Sequence, residues 1–524
     1  MPLLSVKNLT LTVPNATLVD GVSFTLEKGK TLCVVGESGS GKTLSSLAIM
    51  GLLPKTIQAK VEELAFSDIN LNTLTARQHR QLRGSRMSMI FQEPLSALNP
   101  VMTMGKQVAE VLQIHTKLNK KERYEKVLAL FEQVKLPEPK RIYASYPHQL
   151  SGGQRQRVMI AMALACQPEL LIADEPTTAL DATVQKEILK LIKELQGEFK
   201  TAVLFITHDF GVVKQIADDV LVMEHGKVVE QGAANTILSK PKKAYTKRLL
   251  AAAPQLNTKP HAEISGDILL KAENVNKTYT RGGGLFGAKQ KVNAVQNASL
   301  TLYKGQTIGI VGESGSGKST LAKCILQLEK PNSGDIQLNG QQLVGLKGKK
   351  LRTAWRDMQM IFQDPFASLN PRQTVGTSIA EGLKAHGIGT EQERQTKVAE
   401  LLKAVELPVD AANRYPHQFS GGQRQRIGIA RALALNPALV VADEAVASLD
   451  VSVQKQVLEL MNKLKQDFGL SYLFISHDLR VVSQVADWVL VMHQGQVVEQ
   501  GPTHKVFGSP QQAYTQQLLA SLPG

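Results

Sequence analysis

The stretch "TLCVVGESGSGKT", residues 31–43, decides the fold of the first half of the chain. A short β-rich run leads directly into a loop of the form G-x-x-x-x-G-K-[ST], and a helical run follows the loop. In such a loop, glycines let backbone N–H groups curl around phosphate oxygens, and the lysine neutralises the phosphates. The stretch therefore predicts a phosphate-binding loop between a buried strand and a helix.

The chain contains this loop twice, since residues 307–319 read "TIGIVGESGSGKS". Other motifs recur in the same order. From "YPHQLSGGQRQR" (146–157) and its copy "YPHQFSGGQRQR" (415–426) to the last residue, the two halves align without an insertion. A repeat of this size predicts a tandem duplication of a whole domain.

We expect a first domain over 1–255, a linker over 256–267 and a second domain over 268–524. The linker region is polar, contains Pro260 and has no sustained periodicity, which is typical of a domain boundary. The second half carries ten extra residues near "RGGGLFGAKQ" (281–290), where three consecutive glycines predict a mobile loop.

The fold class is α/β. The apolar runs "LLIADE" and "AVLFITHD" are typical of buried strands, and the amphipathic stretch "ATVQKEILKLIKELQGEFK" between them predicts a helix. Strands that alternate with helices indicate a mainly parallel sheet.

Length and composition limit the possible functions. Among 524 residues, 43% are hydrophobic, so a folded core is expected. No basic region precedes an apolar stretch at the N-terminus, and no apolar run reaches about 18 residues, so we expect a cytoplasmic chain without a membrane span.

The net charge of +15 is compatible with nucleic acid or an anionic membrane, but without clustering a solvated basic surface explains it better. The three cysteines, Cys33, Cys166 and Cys324, fit neither a disulfide framework nor a metal cluster, and Cys33 and Cys324 are expected to be small buried residues.

The two glycine loops supply the candidate nucleotide ligands. Lys42 and Lys318 would neutralise the β- and γ-phosphates, while Thr43 and Ser319 offer hydroxyls to Mg²⁺. A flexible Gly/Ser linker is the alternative interpretation, and the flanking apolar strands argue against it. The loop and helix-start residues predicted to bind ATP are Gly36, Glu37, Ser38, Gly39, Ser40, Gly41, Lys42, Thr43, Leu44, Gly312, Glu313, Ser314, Gly315, Ser316, Gly317, Lys318, Ser319 and Thr320.

Acidic pairs end two of the apolar runs, Asp174–Glu175 and Asp443–Glu444. An aspartate at the tip of a buried strand can hold Mg²⁺, usually through water, and a glutamate that follows it can polarise the attacking water. A lone pair of this kind would more often cap a helix. Because both pairs lie downstream of a glycine loop, we predict that the aspartates are metal ligands and the glutamates are catalytic.

A glutamine and a histidine complete each set of strand-end residues. Gln92 and Gln363 follow "MIF" and are predicted to contact the metal and the attacking water. His208 and His477 follow "LFIT" and "LFIS" and are predicted to reach the γ-phosphate. Each of these side chains alone would be an ordinary polar residue at a strand end, and only the combination indicates a function.

A second anion site is predicted in each half at "LSGGQ" and "FSGGQ". A serine and two glycines that open a helix direct backbone N–H groups outward. The residues are Ser151, Gly152, Gly153, Gln154, Ser420, Gly421, Gly422 and Gln423. Because each half already has a phosphate loop, a second anion site suggests the ATP of a partner domain.

Together these motifs resemble the ATP-binding cassette family over nearly the whole chain. The resemblance implies P-loop ATPase domains, each with a helical subdomain, that pair head-to-tail. Residues 420–423 would complete the site on Lys42, and residues 151–154 would complete the site on Lys318. Asp181 and Asp450, in "ALD" and "SLD", would signal across the interface. A short linker would raise the effective concentration of each half for the other.

Within that family, "FQEPLSALNP", "DEPTTALDATVQ" and the repeated "AYT..LLA..P" tails look like the ATPases of oligopeptide, dipeptide and nickel importers. The resemblance implies ATP and Mg²⁺ as ligands. It also implies two membrane permeases and a periplasmic or lipid-anchored binding protein as partners, at the cytoplasmic face of a bacterial inner membrane. It implies no nucleic acid. Suitable cysteines are missing from the tails, so no iron–sulfur cluster is expected. The resemblance implies an ATPase that powers the uptake of peptides or peptide-like solutes. Peptides are the first choice, and peptide-like antibiotics, nickel and glutathione-like molecules stay open.

Two positions depart from the family pattern. An aromatic residue usually stacks on adenine near the end of the first strand, where Tyr279 stands in the second half and Val13 in the first. We therefore expect looser ATP binding at the Lys42 site. Ala445 stands where the first half has Pro176, which removes a restraint on φ but no reacting group. We expect both sites to hydrolyse ATP.

Two other classes of function remain as alternatives. A tandem cassette that acts on ribosomes would suit the positive charge. Such proteins usually have a long, charged, helical linker, whereas this linker is short and contains Pro260. An export or lipid-extrusion ATPase is the third class, and the importer-like surroundings of the "SGGQ" motifs argue against it.

Overall fold

The β-rich runs that lead into the two glycine loops form buried strands in a computed structural model of the chain, Thr31–Val35 and Thr307–Val311. The structure describes residues 2–177, 180–260, 266–281, 290–364, 368–447 and 449–522. The chain divides into two compact units: residues up to 180 with 184–253, and residues 181–183 with 254–522. The linker over 256–267 stays a prediction, and its residues 261–265 lie outside the described residues.

The first unit alternates strands and helices. Its strands are β1 (Leu4–Val13), β2 (Ala16–Leu26), β3 (Thr31–Val35), β4 (Gln58–Lys60), β5 (Glu63–Phe66), β6 (Ile69–Asn70), β7 (Met87–Ile90), β8 (Leu170–Asp174), β9 (Ala202–Thr207), β10 (Asp219–Glu224) and β11 (Lys227–Ala233). Its helices are α1 (Lys42–Ile49), α2 (Ala76–Leu82), α3 (Pro94–Ala97), α4 (Met104–His115), α5 (Lys120–Gln133), α6 (Pro139–Ala144), α7 (Gly152–Leu164), α8 (Ala182–Phe199), α9 (Phe210–Ile216), α10 (Ala234–Ser239) and α11 (Ala244–Ala252). Short 3-10 turns cover Leu71–Thr73 and Pro147–Gln149.

The second unit repeats this order. Its strands are β12 (Ile268–Arg281), β13 (Gln290–Tyr303), β14 (Thr307–Val311), β15 (Ser333–Leu338), β16 (Gln341–Gln342), β17 (Met358–Ile361), β18 (Leu439–Asp443), β19 (Ser471–Ile475), β20 (Trp488–His493) and β21 (Gln496–Pro502). Its helices are α12 (Lys318–Ile325), α13 (Gly348–Asp357), α14 (Val375–Ala385), α15 (Glu391–Ala404), α16 (Gly421–Leu433), α17 (Val451–Phe468), α18 (Leu479–Val485), α19 (Thr503–Gly508) and α20 (Ala513–Ala520). Its 3-10 turns cover Val409–Asn413 and Pro416–Gln418.

Each unit contains a mainly parallel sheet, which confirms the predicted fold class. The strand order is β11–β10–β3–β9–β8–β7 in the first unit and β17–β18–β19–β14–β20–β21 in the second. Within each sheet, antiparallel pairing joins β10 to β11 and β20 to β21, and the other pairs are parallel. Each unit also contains an antiparallel sheet, built around β1 in the first unit and β12 in the second. This sheet shares a hydrophobic core with the mainly parallel sheet of its unit. The parallel strands are buried on both faces, which explains their continuous apolar runs.

The two strands that flank the ten-residue insertion are longer than their counterparts in the first unit. In the first unit Val13 pairs directly with Ala16, whereas in the second unit Tyr279 pairs with Val292 and the strands continue to Arg281 and Gln290. The glycine-rich loop predicted to be mobile, 282–289, lies outside the described residues.

Cys33 and Cys324 are buried in the cores, as predicted. Within the described ranges, no helix has both the length and the apolar character needed to cross a membrane.

The helices between β7 and β8 form a helical subdomain in the first unit, and those between β17 and β18 form its counterpart in the second. The two subdomains differ in their packing. In the first unit α4, α5 and α6 pack on each other and on α7, and Tyr143 of α6 lies against Gly105 and Tyr124, with the two ring centroids 4.8 Å apart. In the repeat, Ala412 and Gln395 stand at the positions of these tyrosines. A cavity of about 640 Å³ opens there between α14, α15 and the turn 409–413.

This difference predicts responses of different size to the same substitution. A Cβ at Gly105 would lie 2.1 Å from the Tyr143 ring, whereas a Cβ at Gly376 would lie 3.0 Å from the carbonyl oxygen of Ala412. We expect Gly105→Ala to lower the free energy of unfolding by about 1–3 kcal/mol through overpacking. Gly376→Ala should change it by less than about 1 kcal/mol, because alanine favours the helix and offsets a small strain. Calorimetry of the full chain measures both, and equal losses would contradict the packing argument.

Candidate active site

The order of the parallel strands brings the predicted site residues to one edge of each sheet. In the first unit the neighbours β3, β9, β8 and β7 are followed by the glycine loop, His208, Glu175 and Gln92 respectively. Because the carboxyl ends of parallel strands meet at the same edge, residues far apart in sequence meet there. The second unit repeats this arrangement with β14, β19, β18 and β17.

Each glycine loop is held closely against its own lysine. Lys42 Nζ donates hydrogen bonds to the carbonyl oxygens of Gly36 and Glu37, both at 2.8 Å. Lys318 Nζ makes the same bonds to Gly312 and Glu313, at 2.7 and 2.8 Å. Both lysines are buried. The loop therefore wraps around the ammonium group that would meet a phosphate.

Two glycines in each loop are required by the backbone. Gly41 and Gly317, immediately before α1 and α12, adopt φ values of 95° and 105°, which side-chain-bearing residues avoid. A Cβ at Gly36 would lie 2.2 Å from the Met223 carbonyl oxygen, and a Cβ at Gly312 would lie 2.1 Å from that of Met492. Each loop thus lies directly on the end of β10 or β20.

The predicted metal ligands are in contact with one another. Thr43 Oγ1 donates to Asp174 Oδ1 at 3.2 Å, and Ser319 Oγ donates to Asp443 Oδ1 at 2.9 Å. Burial raises the pKa of Asp174 to about 6 and also raises the pKa of Asp443. The hydroxyl hydrogen bond and the nearby lysine oppose this rise but do not cancel it. Paired hydroxyl and carboxylate oxygens are the ligands that Mg²⁺ prefers, so these residues fit the ion.

The two glutamates predicted to be catalytic have similar partners. Gln92 Nε2 donates to Glu175 Oε2 at 3.1 Å, and Gln363 Nε2 donates to Glu444 Oε2 at 2.7 Å. The histidine Nδ1 atoms lie 3.3 Å from Glu175 Oε2 in the first unit and 3.5 Å from Glu444 Oε2 in the second. Although burial opposes it, the contact with His477 holds the pKa of Glu444 below its usual value. The carboxylate is therefore ionised and able to polarise water.

Both glutamates occupy the left-handed region of the backbone, a feature that the sequence did not indicate. Glu175 has φ 45° and Glu444 has φ 49°. Their N–H groups donate to Ile206 and Ile475 of the neighbouring strand, at 3.0 and 2.9 Å. Strained non-glycine residues cluster at functional sites. Because the two φ values agree, the change from Pro176 to Ala445 leaves the backbone at the glutamate unchanged.

The "SGGQ" segments open α7 and α16 with capping boxes. Ser151 Oγ accepts from the N–H of Gln154, and Gln154 Oε1 accepts from the N–H of Ser151. Ser420 and Gln423 do the same in the second unit. These segments are therefore true helix N-termini, as predicted.

The structure gives the second glycine of each segment an additional role. A Cβ at Gly153 would lie 2.9 Å from Val184, and a Cβ at Gly422 would lie 2.3 Å from Val453. Each valine stands three residues after a predicted signalling aspartate, Asp181 or Asp450. Only the packing of α7 on α8 and of α16 on α17 shows this constraint, because the residues are about 30 positions apart.

The remaining predicted residues occupy defined positions. Asp181 is buried, Asp450 stands immediately before α17, and Gly152 and Gly421 are the first residues of α7 and α16. Tyr279 is half-buried near the end of β12, with Lys277 Nζ 5.0 Å from its ring centroid. The roles of these residues in signalling and adenine stacking stay predictions.

Comparison with known proteins identifies the family. The family model described as "ABC transporter" matches residues 19–178 and 295–447, and that of the "Oligopeptide/dipeptide transporter, C-terminal region" matches 229–282 and 498–524. The chain belongs to the ABC transporter family. It is an ATP-hydrolysing cassette protein.

Similar cassette proteins include two from enteric bacteria. The chain is 47% identical to the glutathione import ATP-binding protein GsiA of Shigella sonnei (strain Ss046) over 541 aligned residues, covering 96% of this chain and 86% of that protein. The GsiA of Escherichia coli (strain K12) gives the same values. A solved dimeric cassette, MJ0796 with ADP and Pi, aligns at 31% identity over 45% of this chain and 99% of its own, with a TM-score of 0.41.

The matched geometry predicts that both ATP sites turn over. Glu175→Gln and Glu444→Gln, made separately, should each lower ATP turnover at least about twofold, and the double variant should lower it by about 10² or more, because a general base is lost. Steady-state phosphate release from the purified chain measures this. Full turnover in Glu444→Gln with none in Glu175→Gln would mean that the second site is inactive.

Proposed function

We propose that this chain is the ATPase subunit of an importer for peptides or peptide-like solutes, of which a glutathione-like tripeptide is the first choice. The observation that carries the proposal is the repeated C-terminal extension, since both copies match the oligopeptide/dipeptide transporter region. The similarity to proteins named for glutathione import supports it. The solute would be selected by a periplasmic or lipid-anchored binding protein and by the permeases, while this chain would act at the cytoplasmic face of a bacterial inner membrane.

In the proposed mechanism, each site binds ATP with Mg²⁺. Mg²⁺ would be held by Thr43 and Asp174, with Gln92, and by Ser319 and Asp443, with Gln363, and it would offset charge on the phosphates. The backbone of the glycine loop and its lysine orient the phosphates. Glu175 or Glu444 then takes up the proton of the attacking water, while the neighbouring histidine holds the carboxylate in position.

We further propose that the halves pair head-to-tail. The signature residues 420–423 would complete the site on Lys42, and residues 151–154 would complete the site on Lys318. Asp181 and Asp450 would transmit the occupancy of one site to the other. Exposed backbone N–H groups at capped helix N-termini suit the γ-phosphate of such a partner site.

An exposed phenylalanine immediately before each glutamine supports docking to permeases. Phe91 and Phe362 are 37% and 45% exposed, and each directly precedes the glutamine that contacts the catalytic glutamate. Leu52 and Leu328, at equivalent positions of the repeat, are also exposed. In the second unit a cavity of about 380 Å³ lies at this surface, lined by Leu328, Trp355, Phe362 and Arg431 among others. A short helix of a permease suits such a groove.

The docking proposal predicts a loss of assembly without a loss of ATP hydrolysis. Phe91→Asp with Phe362→Asp should abolish co-purification with the permeases, because the exposed aromatic rings that would pack against a permease helix are replaced by charged, solvated groups. Basal ATPase activity of the free chain should persist. Phe468→Asp, at another exposed aromatic residue, is the matched control. If the double variant still co-purified with the permeases, the proposal that these phenylalanines form the docking surface would be wrong.

The solute is tested in vesicles that contain the chain, its permeases and the binding protein. Glutathione, dipeptides, oligopeptides and nickel are each supplied, and ATP-dependent uptake is measured. We expect glutathione-like tripeptides or short peptides to be taken up and to stimulate ATP hydrolysis. Uptake of nickel alone, or co-purification with ribosomes instead of permeases, would overturn the proposal.

Adenine stacking by Tyr279 gives a further prediction. In a Lys42→Ala background, where only the second site binds tightly, Tyr279→Ala should weaken ATP binding roughly tenfold, since an aromatic stack on a base contributes about 1–3 kcal/mol. In a Lys318→Ala background, Val13→Ala should have little effect. Titration with a fluorescent ATP analogue measures both, and equal responses would remove the proposed asymmetry.

A further inference from the structure

A tyrosine from each C-terminal extension contacts the backbone of a nucleotide loop. Tyr245, in α11, accepts a hydrogen bond from the N–H of Glu37 at 3.2 Å. Tyr514, in α20, accepts the same bond from the N–H of Glu313 at 3.1 Å. The contact joins residues about 200 positions apart and occurs in both units. We propose that Tyr245 and Tyr514 are positioning residues for the ATP-binding loops.

The bonded residue is held from two sides. Glu37 donates its N–H to Tyr245, and its carbonyl oxygen accepts from Lys42 Nζ at 2.8 Å. Glu313 is held in the same way between Tyr514 and Lys318. When the lysine turns to a phosphate, the tyrosine bond still fixes the start of the loop. A fixed loop keeps its N–H groups directed at the phosphates and lowers the ordering cost of binding.

The extension is itself fixed to the sheet that carries the loop. Glu230 of β11 accepts from the N–H groups of Lys242 and Lys243, just before α11, at 2.8 and 3.2 Å. Glu499 of β21 accepts in the same way from Gln511 and Gln512, at 2.8 and 3.2 Å. A carboxylate at a helix N-terminus is favourable. The helix and its tyrosine are therefore placed by a strand next but one to β3 or β14.

The last residue of β10 or β20 helps to hold the tyrosine ring, through an arginine in the first unit and by direct ring contact in the second. In the first unit Glu224 pairs with Arg248 at 3.0 Å, and the Arg248 guanidinium lies 5.1 Å from the Tyr245 ring centroid. In the second unit, His493 takes the place of Glu224, and its ring centroid lies 4.0 Å from that of Tyr514. Burial raises the pKa of both tyrosines to about 12, so both hydroxyls stay neutral and can accept these bonds. Different side chains therefore pack on the two tyrosine rings, whereas the hydrogen bond from the loop N–H to the tyrosine hydroxyl is the same in both units.

The inference rests on the ATP sites and not on the proposed import function, so it is tested on the isolated full chain. In a Lys318→Ala background, Tyr245→Phe should raise the dissociation constant of a fluorescent ATP analogue by roughly three- to tenfold, as expected for one lost hydrogen bond. In a Lys42→Ala background, Tyr514→Phe should do the same. Turnover at saturating ATP, measured for each substitution with both lysines intact, should change little, because the loop binds ground and transition states alike.

Tyr472→Phe is the matched control. Its buried hydroxyl donates to the Met461 carbonyl oxygen at 3.4 Å, so phenylalanine removes a buried bond of similar kind away from the loops. Tyr472→Phe should leave the dissociation constant unchanged even where it lowers the melting temperature. A purely structural role predicts that all three variants change stability and none changes affinity.

Hydrogen exchange provides a second measurement that does not depend on ATP. Amides in a peptide covering residues 31–44 should exchange faster in Tyr245→Phe than in the parent chain or in Tyr472→Phe. Unchanged exchange together with unchanged affinity would overturn the inference.

Discussion

The alignment of parallel strands is the constraint on which both ATP sites depend. Neighbouring strands end at one edge of the sheet, so the loop after one strand, the acidic pair after a second and the polar residues after two others must meet. The hydrogen bonds from Thr43 to Asp174 and from Ser319 to Asp443 show how closely the edges agree in the two units. Any change in strand order would separate the glycine loop from the acidic pair, the glutamine and the histidine.

Local strain and close packing keep this edge in place. Glu175 and Glu444 hold positive φ angles, and the first glycine of each loop lies against a carbonyl oxygen of the adjacent strand. Such features cost free energy and persist only where the packing and hydrogen bonds around them hold the backbone in that conformation. In this protein the surroundings are parallel strands buried on both faces. The same rigidity allows Ala445 to replace Pro176 without a change at Glu444.

The duplicated units share their reacting groups and differ in what surrounds them. A tyrosine pair fills the helical subdomain of the first unit, and a cavity occupies the same place in the second. An arginine supports Tyr245, whereas a histidine supports Tyr514. Selection on ATP chemistry constrains atoms at the sheet edge, while several packing solutions can support the same edge. Differences between the two sites are therefore expected in affinity before they are expected in mechanism.

The sequence by itself determined the duplication, the α/β class, the phosphate loops and the identity of the acidic, glutamine and histidine residues, because each is set by local spacing and by repetition. The glycine loop and the acidic pair by themselves predict the roles of Lys42 and Glu175. Only the tertiary structure revealed the left-handed backbone of the glutamates, the packing of Gly153 on Val184, and the bond from the Glu37 backbone to Tyr245. These features join segments far apart in the chain, and such contacts leave no local pattern, since they arise only when the sheet brings distant residues together.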